Sequence, residues 1–290
     1  KNCVPSLLRN FSAPINLRSD LNINELIHLL RYDDDLFNKW DITQSLFLKK
    51  MSDIHLNQFE NAIKFLINKG KLNDEITSLI LTPPSYKSFQ NLFKNFDPVD
   101  LYYTRLKILK NFYKRIEKNL LYLLNKLVNS NFERINMYNQ RSLLKVVVDC
   151  LCLIKNDKGL DIASKFCSSE IMSLKLSGIN ICIKYDHPNS RILLDNCYEE
   201  FKHNNITLEK WFQISSSHNN IYFNGIDFVK SLLLDKHFDY KNPNLLRAVL
   251  GNFQNNNITL FHSKNESGYK FITEEIIKID KFNPQIASKL

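Results

Sequence analysis

Apolar residues recur at helical spacing along most of the chain, and the intervals between these runs are short and polar. Leu26, Ile27 and Leu30, then Phe37, Trp40, Leu46 and Phe47, predict a helical pair broken at residues 32–35. There Asp33, Asp34 and Asp35 can supply an N-cap and first-turn acids. As a metal site the triplet is poor: its carboxylates point in different directions, whereas a calcium loop spreads its ligands over about twelve residues around a glycine turn. Phe59 to Ile67 predicts a helix stopped at Lys69-Gly70, and Ile76 to Leu81 one halted by Pro83-Pro84. Asp97-Pro98 opens the longest periodic run, to about Val128. Asn139 to Ile154 follows as a buried apolar helix despite its Val146, Val147 and Val148. Shorter helices are expected at about Leu160 to Cys167, Glu170 to Lys184, Arg191 to Lys202, Leu208 to Ser216 and Gly225 to Leu234, separated by breaks such as Asp186-His187-Pro188.

The last fifth is the most clearly punctuated. Asn242-Pro243 is an N-cap with proline at the first helical position, followed by Leu245, Leu246, Val249, Leu250 and Phe253 on one face. Beyond the short apolar piece Ile258 to Phe261, Gly268 opens a helix carrying Tyr269, Ile272, Ile276 and Ile279. Asn283-Pro284 repeats the start signal, predicting a helix that runs about two turns to Leu290 and is cut rather than capped. The first twenty residues differ. Pro5 and Pro14 interrupt any helical stripe, and the alternation at Ile15, Asn16 and Leu17 predicts one extended strand. Such a strand either pairs with a sheet outside this sequence or lies on the helices as an arm. The expected fold class is therefore all-α: antiparallel helical pairs stacked into a right-handed superhelix of the ARM/HEAT-like α-solenoid kind, after a short extended β segment, with no fixed sequence repeat.

Composition agrees. The 290 residues are 44% hydrophobic with only 6 Gly and 8 Pro, which disfavours hairpins and glycine-rich phosphate loops. No apolar run approaches the roughly 20 residues that span a bilayer, and no leader pattern is visible; the start at Lys1 without methionine suggests a soluble piece of something longer. The net charge of +9 is dispersed. Its densest stretch, Arg105 to Lys118, places Lys107, Lys110 and Lys114 opposite Leu109, Phe112 and Ile116, as in an amphipathic helix with a solvated basic face. Six cysteines form no zinc spacing with the seven histidines and read as reduced core residues in a cytoplasmic or other reducing compartment. The Asn-x-Ser/Thr triplets at Asn10, Asn205, Asn257 and Asn265 are expected by chance in so Asn-rich a chain. Catalytic patterns are lacking: there is no Gly-x-Ser-x-Gly elbow, P-loop or dinucleotide fingerprint. His262 with Glu266 lacks a second histidine, and the pairs Glu199-Glu200 and Glu274-Glu275 read as solvated helix faces.

The runs NPNLLRAVLGNF, FH, ESGYKF and NPQIASKL, preceded in order by CVPSLLRNFSAPINL, FNKWDITQSL, LTPPSYKSFQNLFKNFDP and LEKWF, resemble the C-terminal domain of alanyl aminopeptidases. This is the bacterial and apicomplexan branch of the aminopeptidase N family, which belongs to the zinc gluzincins. The similarity covers essentially all of the chain. The His-Glu-x-x-His helix and the Gly-Ala-Met-Glu-Asn segment of that family do not occur, so the resemblance implies its non-catalytic end. Zinc would belong to the parent enzyme, with no cofactor in this part. The resemblance implies a boundary near Leu21: residues 1–20 would close a preceding β-sandwich domain and residues 21–290 form the C-terminal helical domain. Partners would be the catalytic and β-sandwich domains of the same polypeptide and peptide substrates, without nucleic acid or membrane. It further implies three residues facing a substrate chamber: Arg247, Gln285 and Lys289. Gln285 stands where the family lines the pocket for the substrate's first side chain, and Lys289 replaces a family arginine, keeping the charge but not the planar fork. Four residues apart, Gln285 and Lys289 would share a helix face. Two other function classes remain open: a free-standing α-solenoid that binds a protein in its concave face, and a basic nucleic-acid binder whose affinity would fall steeply with salt.

Overall fold

The computed structural model describes residues 3–15, 17–49, 53–70, 72–128 and 138–290, and every regular element among them is helical. The chain divides into two compact units, one of residues 1–96 with 104–159, the other of residues 97–103 with 160–290.

In the first unit, an arm precedes α1 (Ile23–Tyr32), α2 (Leu36–Leu48), α3 (Asp53–Asn68), α4 (Asp74–Leu81), α5 (Tyr86–Gln90), α6 (Pro98–Arg115, from Thr104 onward), α7 (Glu117–Val128) and α8 (Tyr138–Leu153). Helix starts follow side-chain capping. Asn22 accepts from the Glu25 amide while Glu25 reaches back to the Asn22 amide, and Asn73 caps α4 through the Ile76 amide. Helix α4 packs on α8, α7 on α8, and α1 on α2 and α3. The core is aromatic where the stripes meet: Phe59 stacks on Phe112 at 4.8 Å, and Phe47 meets both edge-on. Buried Tyr113 donates through Oη to the Leu81 carbonyl at 2.7 Å, and Arg105 donates to the Pro84 carbonyl at 2.7 Å. These side chains satisfy carbonyls left unpaired where the proline pair ends α4. The basic face of α6 is solvated, with Lys107, Lys110 and Lys114 exposed and Leu109, Phe112 and Ile116 buried.

Two expectations change here. The long run from Pro98 to Val128 is two helices, broken at Ile116. No proline or glycine marks this break. Ile116 is fully buried, and Glu117, in the new first turn, accepts from Asn156 Nδ2 at 2.8 Å, so tertiary contacts accompany a break that periodicity does not show. The arm is also no strand among the described residues. It turns at Arg9–Phe11, with Leu8, Asn10 and Phe11 at positive φ, and lies on the helices; Asn16, in the expected strand, is outside the described residues. Carboxylates take the place of a neighbouring strand. The Ser6 hydroxyl donates to Asp33 Oδ2 at 2.6 Å, the Asn10 amide to Asp35 Oδ2 at 2.8 Å, and Arg9 pairs with Asp33 and Asp34. Of the acidic triplet, Asp35 alone caps α2, accepting from the Asn38 amide at 2.7 Å; Asp33 and Asp34 secure the arm.

The second unit carries α9 (Asp157–Phe166, from Leu160 onward), α10 (Met172–Lys184), α11 (Ser190–Phe201), α12 (Asn205–Ser217) and α13 (Gly225–Leu232). Then come α14 (Pro243–Leu246), a π-helical turn (Arg247–Gly251), α15 (Asn252–Asn256), α16 (Ile258–Phe261), α17 (Ser267–Asp280) and α18 (Pro284–Ala287). Phe201, Phe212, Leu246, Val249, Leu250, Phe253 and Ile279 form its core. Two close approaches require glycine. A Cβ on Gly178 would stand 2.6 Å from Phe166 Cβ and 2.7 Å from the Ala163 carbonyl oxygen; one on Gly268 would stand 2.3 Å from the Phe261 carbonyl oxygen. The expected helix from Pro284 to the last residue is a single turn. Lys289 and Leu290 follow it with tight bonds to the Ile286 and Ala287 carbonyls. Glu275 corrects another expectation: Glu274 is solvated, but Glu275 is buried, accepting from Tyr240 Oη at 3.1 Å and from Lys278 Nζ at 2.6 Å. Burial first, and then this carboxylate, push the Tyr240 hydroxyl up to about 12.

Candidate functional site

Within the second unit, a cavity of about 300 Å³ lies where α12, the π turn, α15 and the chain end meet. Its wall is mostly amide: Gln213 from α12 and Asn252, Asn255 and Asn256 from α15. Arg247 and Lys289 are the charged side chains among its lining residues, so it is a positively charged pocket with amide donors and acceptors.

The sequence explains this wall locally. A π turn carries one residue more per turn than an α-helix, with the Asn252 amide donating to the Arg247 carbonyl five residues back. The widened ladder is stitched to α12 by side chains. Ser216 Oγ donates to the Ala248 carbonyl at 3.0 Å, Asn252 Nδ2 donates to the Gln213 carbonyl and to Ser217 Oγ, and Asn257 Nδ2 donates to the Ser216 carbonyl at 3.2 Å. Asn256 Nδ2 in turn donates to Asn252 Oδ1. Buried Asn252 thus holds the wall at fixed geometry, while Asn256 is left at the surface.

The structure brings Arg247 and Lys289 to one cavity and does not bring Gln285 there. Arg247 is exposed, with Nη2 donating to Asn244 Oδ1 at 2.5 Å. Gln285 is exposed on the single turn of α18, its carbonyl accepting from Ser288 Oγ at 3.1 Å. Because α18 ends at Ala287, the shared helix face expected for Gln285 and Lys289 is not formed. The amides Gln213, Asn252 and Asn256 were not singled out from the sequence. The Asn-rich stretch after Phe253 reads locally as a turn, and only the polar contacts to α12 reveal a wall.

A second cavity, of about 430 Å³, shares Gln213, Asn252 and Asn256 and is lined on its other side by Asn180, Lys210 and His218. In the first unit the arm and helices α1 and α2 enclose about 480 Å³, lined largely by apolar residues such as Leu7, Phe11, Leu29 and Phe37 beside Asp41, whose carboxyl burial raises above its usual range. His262 lies at the end of α16, bonded through Nδ1 to Tyr269 Oη at 2.5 Å, and burial lowers its pKa. Among the described residues no three His, Cys, Asp or Glu side chains are grouped to hold a metal, and no helix is long and apolar enough to cross a membrane. The charged cavity can bind an anionic group; it presents no acid, base or nucleophile arranged for bond cleavage.

A family model described as a domain of unknown function (DUF3458_C), ARM repeats, matches residues 23–290. Aminopeptidase N of Haemophilus influenzae is 26% identical over 99% of this chain and 34% of its own length; aminopeptidase N of Escherichia coli is 25% identical over the same shares. The crystal structure of Legionella pneumophila aminopeptidase A in complex with aspartic acid superposes with a TM-score of 0.82 at 23% identity, over 99% of this chain and 35% of that one, which shows a shared fold. The chain spans about a third of the length of the curated relatives it matches, and the part matched is their C-terminal part. Its helical pairs are those of an α-solenoid, and the chain belongs to the DUF3458_C family of ARM-repeat domains.

Proposed function

We propose that this chain is the non-catalytic C-terminal domain of a zinc-dependent aminopeptidase, where it walls the substrate chamber and limits which peptides reach the metal. The observation that carries the reading is its likeness, over 99% of its length, to the C-terminal part of aminopeptidases. The positive cavity supports the same role, because Arg247 and Lys289 can attract the carboxylates of a peptide without acting on it. On this reading residues 1–20 are the last segment of a preceding β-sandwich domain and residues 21–290 the helical domain. The zinc would be held by residues elsewhere in the polypeptide, so no catalytic step is derived for this chain. The exposed apolar side chains of the arm, Phe11, Ile15 and Leu17, fit a surface that the preceding domain covers. Gln285 would face the pocket for the first side chain of the substrate.

Kinetics of the full-length polypeptide test this. Arg247→Ala and Lys289→Ala together should raise KM for peptides about tenfold, an apparent loss of about 1.4 kcal/mol in binding, while kcat on a short aminoacyl-arylamide stays unchanged. Complementation tests the domain assignment: the missing N-terminal part, inactive alone, should regain peptidase activity when mixed with this chain. Unchanged KM for every peptide would remove the chamber role, and failure of complementation with a correctly folded partner would count against the parent enzyme.

A further inference from the structure

The cysteines play no part in the reading above, yet three of them converge. Cys167 follows the end of α9, Cys182 lies on α10 and Cys197 on α11. The Sγ atoms of Cys167 and Cys182 are 3.8 Å apart, which is van der Waals contact between sulfurs. Gly178 sets this distance. Without a side chain it lets α10 press against the end of α9, where its missing Cβ would stand 2.8 Å from the Cys167 amide nitrogen, and Cys182 sits one helical turn further on. A disulfide needs sulfurs at about 2.05 Å, so the two have about 1.8 Å left to close.

Access is also built in. Cys167 is partly buried and, with Lys175, Cys197 and Glu200, lines a cavity of about 270 Å³. Cys182 lies behind it, 1% exposed. A small oxidant therefore meets Cys167 first, with Cys182 as the neighbour able to resolve the product. Cys197 is a bystander: burial first, and then Glu200, push its thiol up to about 12, so it stays protonated and unreactive.

We propose that Cys167 and Cys182 are a peroxide-responsive thiol pair that closes an intramolecular disulfide between α9 and α10. Cys167, as thiolate, attacks one oxygen of hydrogen peroxide; the O–O bond breaks, hydroxide leaves as water after protonation, and a sulfenic acid forms. Cys182 sulfur then attacks the Cys167 sulfur, the S–O bond breaks, and a second water leaves with the Cys182 proton. In sum, two thiols lose two electrons to one peroxide, giving one disulfide and two waters.

The test treats the full chain with a small excess of hydrogen peroxide, blocks remaining thiols with N-ethylmaleimide in denaturant, and maps peptides by mass spectrometry. Free thiols should fall from the six of the sequence to four, with one cross-linked peptide pair joining Cys167 to Cys182. Cys197→Ser should retain that link. Cys182→Ser should abolish it and instead accumulate sulfenic or sulfinic acid at Cys167, and Cys167→Ser should leave Cys182 unmodified. The proposal is overturned if all six thiols survive, if the link runs through Cys197, or if wild-type Cys167 over-oxidises without linking.

Discussion

At the scale of single residues, adjacent positions with the same chemistry do different work. Asp33 and Asp34 both pair with Arg9, but the Asp33 side chain is 1% exposed and the Asp34 side chain 84%. Burial pushes the Asp33 carboxyl up, yet hydrogen bonds from Ser6, the Asp35 amide and Asn38, with the charge of Arg9, outweigh it and leave the pKa below its usual value of 3.8. A depressed folded pKa means stability that is present above the unfolded value and is lost as pH falls through the folded one. The arm should therefore stay attached at neutral pH and loosen below about pH 3.8, read as its proteolytic release against pH. Asp33→Ala should cost about 2 kcal/mol in urea unfolding and Asp34→Ala less than about 0.5 kcal/mol. The sequence shows capping by Asp35 because acceptor and donor lie within three residues. It cannot show that Asp33 serves Ser6, 27 residues away, or that Glu275 is turned inward by Tyr240, 35 residues away. Gly178 is similar: within α10 it reads as a weak helix residue, and only the backbone of α9 explains it. Gly178→Ala should destabilise by about 1–3 kcal/mol, measured by thermal or urea denaturation, as an overpacked contact.

At the scale of elements, most helix positions were legible to within a few residues, although α3 begins at Asp53, six residues before the expected Phe59. α4, α8, α10, α11 and α13 all begin and end close to their expected bounds. Three features escaped, the first two because they are settled between elements. The break at Ile116 has no local punctuation, the arm finds carboxylates in place of a strand, and α18 stops after one turn. The π turn is a fourth, since Arg247 to Gly251 looks like an ordinary helical stretch. Its dependence on α12 is measurable. Ser216→Ala leaves the Ala248 carbonyl without its side-chain donor and should cost about 1–2 kcal/mol; Asn252→Ala removes the link to α12 and should cost about 2–3 kcal/mol, both from chemical denaturation.

At the scale of the whole molecule, the all-α character and the family likeness were readable because both spread over hundreds of positions. The site was readable only in part. Arg247 and Lys289 carry charge and could be nominated, but their meeting across a cavity depends on the chain folding back after α17, and the amide wall between them depends on α12. Gln285, nominated beside them, lies outside that cavity because α18 is too short to align it with Lys289. The π turn adds a further consequence. An extra residue in a helix rotates everything upstream by about 100° relative to everything downstream. Arg247 and the Asn252–Asn256 wall thus share a direction only because of that one-residue phase offset. Were the same residues wound as a regular α-helix, Arg247 and Asn252, five apart, would stand about 140° from each other around the axis, the guanidinium would leave the amides, and the pocket would have one cation fewer.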